Sequence, residues 1–281
     1  MSRPDALVRE QAAPATSARP AAGAGPARPS RTLVILPALN EEAALSAVLR
    51  ELRRTLPDLD VLVVDDGSTD GTAAVARSEG VPVAVLPFNL GVGGALQTGF
   101  RYALAHGYER AIQFDADGQH DPTQVPALLA ALDHGADLVI GSRFAAPEKG
   151  SAYDVGRLRG GAMGILRVAV RLLSGRSFSD TSSGFRAFSA PLLAFYAAEY
   201  PNEYLGDTVE ALLLACQAGF RVVEVPVSMR VRAAGTPSTQ NLRLAYHYLR
   251  ALLSLLSRAP IRRRERAERA RLAQAARGHR P

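Results

Sequence analysis

The sequence predicts an α/β fold in which a mostly parallel sheet is flanked by helices, and three observations carry that expectation. Short, continuous apolar runs recur along the first half of the chain, each too short for a helix and lacking the alternation of a sheet face open to water. Between them lie segments whose apolar residues recur at helical spacing, so strand and helix alternate at the pitch of βαβ units. Acidic or polar clusters follow the strand ends, which is where open parallel sheets bind ligands.

Taken in order, residues 32–36 are the first apolar run, and Pro37 is expected to stop it. Asn40 stands where it can cap a helix over 41–55, in which Leu45, Val48, Leu49 and Leu52 recur at helical spacing. A second strand over 60–64 ends at Asp65-Asp66-Gly67-Ser68, and Asp70 is placed to cap a helix from Thr72. A third strand over 81–86 leads through a loop, 89–94, into a helix reaching His106. A fourth over 111–114 ends at Asp115-Ala116-Asp117, after which Asp121 caps and Pro122 takes the first helical position. The fifth strand is 138–140. Beyond Gly141 the pattern loosens into a polar loop over 145–154, a helix over 156–174 and a short extended piece over 183–189. A helix over 207–218 and an alternating, half-exposed strand over 221–231 follow.

With 281 residues, 47% of them hydrophobic and 21% charged, the chain has the composition of a soluble globular protein with ample core. Cys216 is the only cysteine, so no disulfide joins two parts of the chain, as suits a reducing cytoplasm. The net charge of +6 is that of one appendage: eight arginines and two glutamates lie between residues 262 and 280, and the remainder balances. The segment 1–30, rich in Ala, Pro, Gly and Arg, has no apolar core of the secretory type and is expected to be disordered. No run approaches the roughly 18 apolar residues of a membrane span. Three segments follow: 1–30, a single domain over 31–240, and a C-terminal amphipathic helix with a basic tail over 241–281.

In that last segment Leu242, Tyr246, Leu249, Leu253 and Leu256 form one apolar stripe. It can pack on the domain over 31–240 or on a second subunit, or lie on the inner face of the membrane while the arginine tail attracts anionic lipid. The expected location is cytoplasmic, with peripheral membrane contact as the second reading. The tail has no interleaved aromatics to stack bases, so no nucleic-acid partner is expected.

The chemistry concentrates in carboxylates. Alternate residues of an extended segment point the same way, so Asp115, Asp117 and Gln119 are expected to present oxygens to one hard cation. Such an ion bridges nucleotide phosphates and stabilises the charge that builds as a phosphate leaves. Asp and Gly also favour turns, so this cluster alone carries two readings. A calcium hand is excluded, because its glycine belongs at the sixth loop position and here falls at the fourth. Asp66 has the chemistry to accept from a base N–H or a ribose hydroxyl, or it is a turn residue. Gly91-Val92-Gly93-Gly94 is not a dinucleotide fingerprint: Leu96 occupies the third glycine's place, and the loop follows the third strand instead of the first.

Four motifs then occur in order: Pro37-Ala38-Leu39-Asn40-Glu41-Glu42, Asp65-Asp66-Gly67-Ser68-Thr69-Asp70-Gly71, Asn89-Leu90-Gly91 and Asp115-Ala116-Asp117-Gly118-Gln119-His120-Asp121-Pro122. Over residues 32–238 the chain resembles the family 2 inverting glycosyltransferases of GT-A, Rossmann-like fold. It looks most like the dolichyl- or polyprenyl-phosphate hexose synthases and related bacterial polysaccharide enzymes. Gly141-Ser142-Arg143-Phe144 and Asp180-Thr181-Ser182-Ser183-Gly184-Phe185-Arg186 fit the same subgroup. The resemblance implies transfer of a hexose from a UDP- or GDP-sugar to a polyprenyl phosphate or glycan acceptor. It implies that Pro37, Leu39, Glu41, Asp66 and Asp115 line the nucleotide pocket and that Asp115, Asp117 and Gln119 surround a metal, Mg²⁺ or Mn²⁺. Arg157 or Arg159, Arg171, Arg186 and Arg232 stand where relatives hold an acceptor phosphate, a task suited to the planar fork of arginine. Arg232 begins a segment with one residue more before Ser238 than the family's Arg-x-x-Gly-x-Ser pattern. Asp207 and Glu210 lie where relatives present an acidic group, joining Asp117 as catalytic candidates; Glu210 has a helix-surface charge as its other reading. The rival readings are a non-catalytic nucleotide- or lipid-binding scaffold of the same fold, and a sugar-1-phosphate nucleotidyltransferase. The second lacks its Gly-rich, Arg- and Lys-containing loop after the first strand.

Overall fold

The computed structural model describes residues 31–145, 167–168, 170–201 and 207–230. Strands and helices alternate as β1 (Thr32–Ala38), α1 (Glu42–Thr55), β2 (Asp60–Asp65), α2 (Thr72–Ser78), β3 (Val83–Val85), α3 (Gly91–Ala105) and β4 (Arg110–Gln113). A 3₁₀ turn, Pro122–Gln124, runs into α4 (Val125–Asp133), followed by β5 (Leu138–Ser142), β6 (Arg186–Phe188), α5 (Ala190–Glu199), α6 (Asp207–Ala218) and β7 (Val222–Pro226). The strands form one sheet in the order β3-β2-β1-β4-β6-β5-β7. Every pairing is parallel except the two made by β6, which runs antiparallel between β4 and β5.

The continuous apolar runs form strands covered on both faces. Leu33 and Ile35 of β1 pack with Ala95, Leu96, Phe100 and Ala103 of α3 and with residues of α5 and α6. Val34 and Leu36 pack on the opposite face with Leu45, Val48, Leu49 and Leu52 of α1 and Val125, Leu128 and Leu132 of α4. The period of two in β1 therefore feeds two cores. Gly99 lets α3 approach β1 closely, since a Cβ there would lie 2.5 Å from Ile35 Cγ2.

Several local expectations are corrected. Pro37 does not stop β1, which continues to Ala38 on its β2 side, with Pro37 beside Val64. Ile35 accepts from Phe114 N–H of the β4 side at 3.0 Å, and the β4 register ends at Ile35. Pro37, two residues on, faces the same side past the end of β4, so its missing N–H breaks no ladder bond. Asn40 is no helix cap: it has φ +56° and turns its side chain to the next loop, while Glu41 holds the N-cap position of α1. The first glycines after Asn89 are helical, with α3 beginning at Gly91. Asp121 does cap, its carboxylate accepting from Thr123 N–H at 3.0 Å ahead of Pro122.

The stretch 170–174 is helical, within the longer helix expected from the sequence. Most of that helix lies outside the described residues, as do segment 1–30, residues 146–154 of the polar loop, the stripe over 241–256 and the arginine tail. Among the described residues no helix is long and apolar enough to cross a membrane.

Candidate active site

The sheet order places β2 on one side of β1 and β4 on the other, and the carboxyl ends of these three strands bring the motifs together at the topological switch. Two loops, 39–42 and 65–72, are laced to one another. Asn40 N–H donates to Ser68 Oγ at 3.0 Å, and Thr69 N–H donates to Asn40 Oδ1 at 2.9 Å. Glu41 N–H donates to Thr72 Oγ1 at 2.9 Å, and Gly71 N–H to Glu42 Oε2 at 2.9 Å. Asp70 accepts from Thr72 N–H at 3.0 Å and Glu42 N–H at 3.3 Å, so one carboxylate satisfies the first turns of both α1 and α2.

Pro37, Leu39 and Glu41 stand half-buried along this rim. Asp66 is almost wholly buried, and its Oδ1 accepts from Leu90 N–H at 2.7 Å, immediately before α3. Burial pushes the Asp66 carboxyl up, against the lowering effect of the Leu90 and Gly91 N–H groups. Asp66 thus fixes the start of α3. Gly67, with φ +73°, leaves no room for a side chain: a Cβ would lie 2.7 Å from the Phe88 carbonyl carbon.

The segment Asp115 to Gln119 is a turn, not the extended stretch that the alternation argument assumed. Ala116 and Asp117 are turn residues and Gly118 has φ +78°. Asp117, buried, accepts from Gln119 N–H at 2.9 Å. The Asp115 side chain retains 37% of its exposure, and Gln119 is half-buried. Among the described residues no three His, Cys, Asp or Glu side chains form a self-sufficient metal cage. Two carboxylates on one turn fit instead a hard cation that takes its remaining oxygens from water and substrate phosphates, the usual habit of Mg²⁺.

Two features beside this turn were not read from the sequence. His120 is fully buried, stacked on Phe185 at 4.8 Å between centroids and edge-on to Phe114 at 5.2 Å. Its Nδ1 accepts from Asp115 N–H at 3.0 Å, which places the ring proton on Nε2. Burial pushes the ring pKa down, although the charges of Asp115 and Asp117 act to raise it. Gly184 presses on Asp115 from another side; a Cβ there would lie 3.0 Å from Asp115 Oδ2. Both residues sit within motifs visible in the sequence, but nothing in residue type alone told which atoms they face.

The loop carrying Gly184 is itself braced. Arg143 binds Asp180 through Nε at 2.7 Å and through NH2 at 2.9 Å. Glu224 of β7 accepts from Ser179 N–H at 2.9 Å and from Asp180 N–H at 2.8 Å. On the far side, Arg230 pairs with Glu51 at 2.8 Å and with Asp121 at 2.9 Å, while its N–H donates to Gln119 O at 2.9 Å.

Arg186 departs from its expected place. It is completely buried, and its guanidinium donates to the carbonyls of Ser183 at 2.9 Å, Thr208 at 2.9 Å and Thr181 at 3.4 Å. A guanidinium enclosed in carbonyls ties the 181–186 loop to α6 and is not presented to an incoming phosphate. Arg171 is exposed on the helical stretch 170–174. Glu210 is buried in α6, which removes its reading as a surface charge, and Asp207 opens the same helix. Arg157, Arg159 and Arg232 lie outside the described residues.

The model of glycosyl transferase family 2 matches residues 33–193, more than half of the chain. The chain belongs to glycosyl transferase family 2. An undecaprenyl-phosphate mannosyltransferase of Micrococcus luteus is 37% identical over 211 residues, covering 73% of this chain and 86% of that protein. A polyprenol monophosphomannose synthase of Mycolicibacterium smegmatis is 34% identical over 236 residues, covering 80% and 88%. Among solved structures, glucosyl-3-phosphoglycerate synthase of Mycobacterium tuberculosis, in complex with Mn²⁺, UDP and phosphoglyceric acid, superposes with TM-score 0.63 at 25% identity, covering 80% of this chain and 78% of that one. The protein is therefore a glycosyltransferase of GT-A fold, and the nucleotidyltransferase reading falls.

Proposed function

We propose that this family 2 glycosyltransferase moves a hexose, mannose in the first instance, with inversion from a nucleoside-diphosphate sugar to a polyprenyl phosphate. The observation that carries the reading is the Asp115–Asp117 turn at the end of β4, beside the carboxyl end of β1, in a chain similar over most of its length to two polyprenyl-phosphate mannose enzymes. Asp115 and Asp117 would hold Mg²⁺ or Mn²⁺, with Gln119 beside them, and such an ion neutralises charge on the departing diphosphate. The structural relative bound to Mn²⁺ and UDP supports that assignment.

The rest belongs to the chain's own side chains. Pro37, Leu39 and Glu41 border the nucleotide, and Asp66 holds the start of α3 against its pocket. An ionised acceptor phosphate is its own nucleophile and needs orientation more than deprotonation, which makes Asp207 and Glu210 candidates for shaping the acceptor side. Arg171, and outside the described residues Arg157, Arg159 and Arg232, are the candidate phosphate ligands. The amphipathic stripe and arginine tail over 241–281 would bring the chain to the lipid that carries this acceptor.

The test is transfer of radiolabelled mannose from GDP- and UDP-linked donors into an organic-extractable polyprenyl product, with Mn²⁺ or with chelator. Product that needs the cation and is abolished by Asp117→Asn supports the reading. Transfer to 3-phosphoglycerate with none to polyprenyl phosphate would replace the acceptor, and no transfer with any donor would favour a binding scaffold.

A further inference from the structure

We propose that His120 is a positioning residue that sets the Asp115 carboxylate for the donor complex, gripping Asp115 at two points through its two ring nitrogens. The inference rests on the reading of Asp115 as a ligand of the metal–diphosphate. The first point is in place, with Asp115 N–H donating to Nδ1 at 3.0 Å. That bond leaves the ring proton on Nε2, and Nε2 is a buried donor without a hydrogen-bond partner. Its neighbour is Asp115 Oδ2 at 3.4 Å, close by yet not aligned as a hydrogen bond. A buried N–H left without an acceptor needs an explanation, and here an acceptor stands a few tenths of an ångström beyond good geometry.

Which of the two moves is decided by packing. The His120 ring is stacked on Phe185 and edge-on to Phe114, and its backbone bridges to Met229. The Asp115 side chain is 37% exposed, and Gly184 adds no side chain of its own against it. The ring is the fixed partner and the carboxylate the mobile one. When one Asp115 oxygen engages Nε2–H, the other is left for the donor complex, an arrangement in which a histidine orients a carboxylate ligand from behind.

The two nitrogens can be separated by substitution. Glutamine places an N–H near the Nε2 position, whereas asparagine reaches only as far as Nδ1. Mn²⁺ binding, followed by loss of the free-ion EPR signal in the presence of UDP and of GDP, is compared among wild type, H120Q and H120N, with melting temperatures recorded. H120N is expected to bind Mn²⁺ about tenfold more weakly than wild type, and H120Q to recover most of that loss. If H120N does not fold, H120F keeps the ring packing without either nitrogen and takes its place. Equal binding by wild type and all folded variants overturns the inference alone. Equal weakening of H120Q and H120N also overturns it, because ring shape and not the Nε2 donor is then what matters. A wild type that binds no Mn²⁺ with either nucleotide overturns the underlying reading and this one with it.

Discussion

At the scale of the residue, the site depends on side chains that never touch a substrate. Asp180 is fully buried, and burial alone would raise its pKa; the hydrogen bonds and charge of Arg143 outweigh that and hold it below its ordinary value. A carboxyl depressed in the folded state contributes stability above its unfolded pKa of about 3.8, and that contribution is lost as pH falls through the folded value. Asp70 and Asp121 are depressed as well, each by hydrogen bonds that outweigh burial. Melting temperature should therefore begin to fall below about pH 5 and go on falling below the unfolded pKa, and Asp180→Asn should flatten that limb without abolishing it. Arg143→Ala would leave a buried carboxylate unpaired; with Arg143 itself 19% exposed, a loss near about 3 kcal/mol, the low end for broken buried pairs, is expected in urea titration. Gly184→Ala presses on Asp115 without opening the core. It should lower kcat/KM on the order of tenfold while the melting temperature stays close to wild type, since small misplacements at reacting groups are costly.

At the scale of the element, close approach of α3 to β1 sets the width of the layer behind the site. Gly99→Ala would drive a methyl to 2.5 Å from the branched, stiff Ile35, so a loss of about 1–3 kcal/mol is expected by thermal or chemical denaturation. The strands and helices up to β5 were legible in the sequence because buried parallel strands must be apolar on both faces and their helices must alternate with them. What was not legible is what tertiary partners decide. Asn40 has the chemistry of a cap, but its neighbour is Ser68 and Thr69, so it became a tie between loops. Pro37 reads as a stop until one knows that β4 ends short of it. Asp115 to Gln119 reads as extended, yet Gly118 bends it into a turn, with the Asp115 carboxylate 3.4 Å from His120 Nε2. Arg186 has a phosphate ligand's functional group and a strut's surroundings, a difference set by three carbonyls from residues 181, 183 and 208.

At the scale of the whole molecule, ligand binding and stability are linked. A donor nucleotide with Mn²⁺ at a hundred times its Kd should stabilise the chain by about 2.7 kcal/mol, or roughly 5–10 °C for a domain of this size. Chelator should erase that shift if Asp115 and Asp117 act through the cation, and the nucleotide giving it names the base. A further consequence concerns the order in which the chain leaves the ribosome. The central junction of the sheet waits for β6: among the described residues β4 has its second neighbour in Arg186–Phe188, and β5 pairs with β6 and β7. A nascent chain that has emerged as far as Ser142 thus carries an open β4 edge and an unpaired apolar β5, both templates for association with other chains. Three late residues close the β4 edge and give β5 its first partner, while the other edge of β5 waits for β7, so the window of aggregation hazard during synthesis is set by where β6 and β7 lie along the chain.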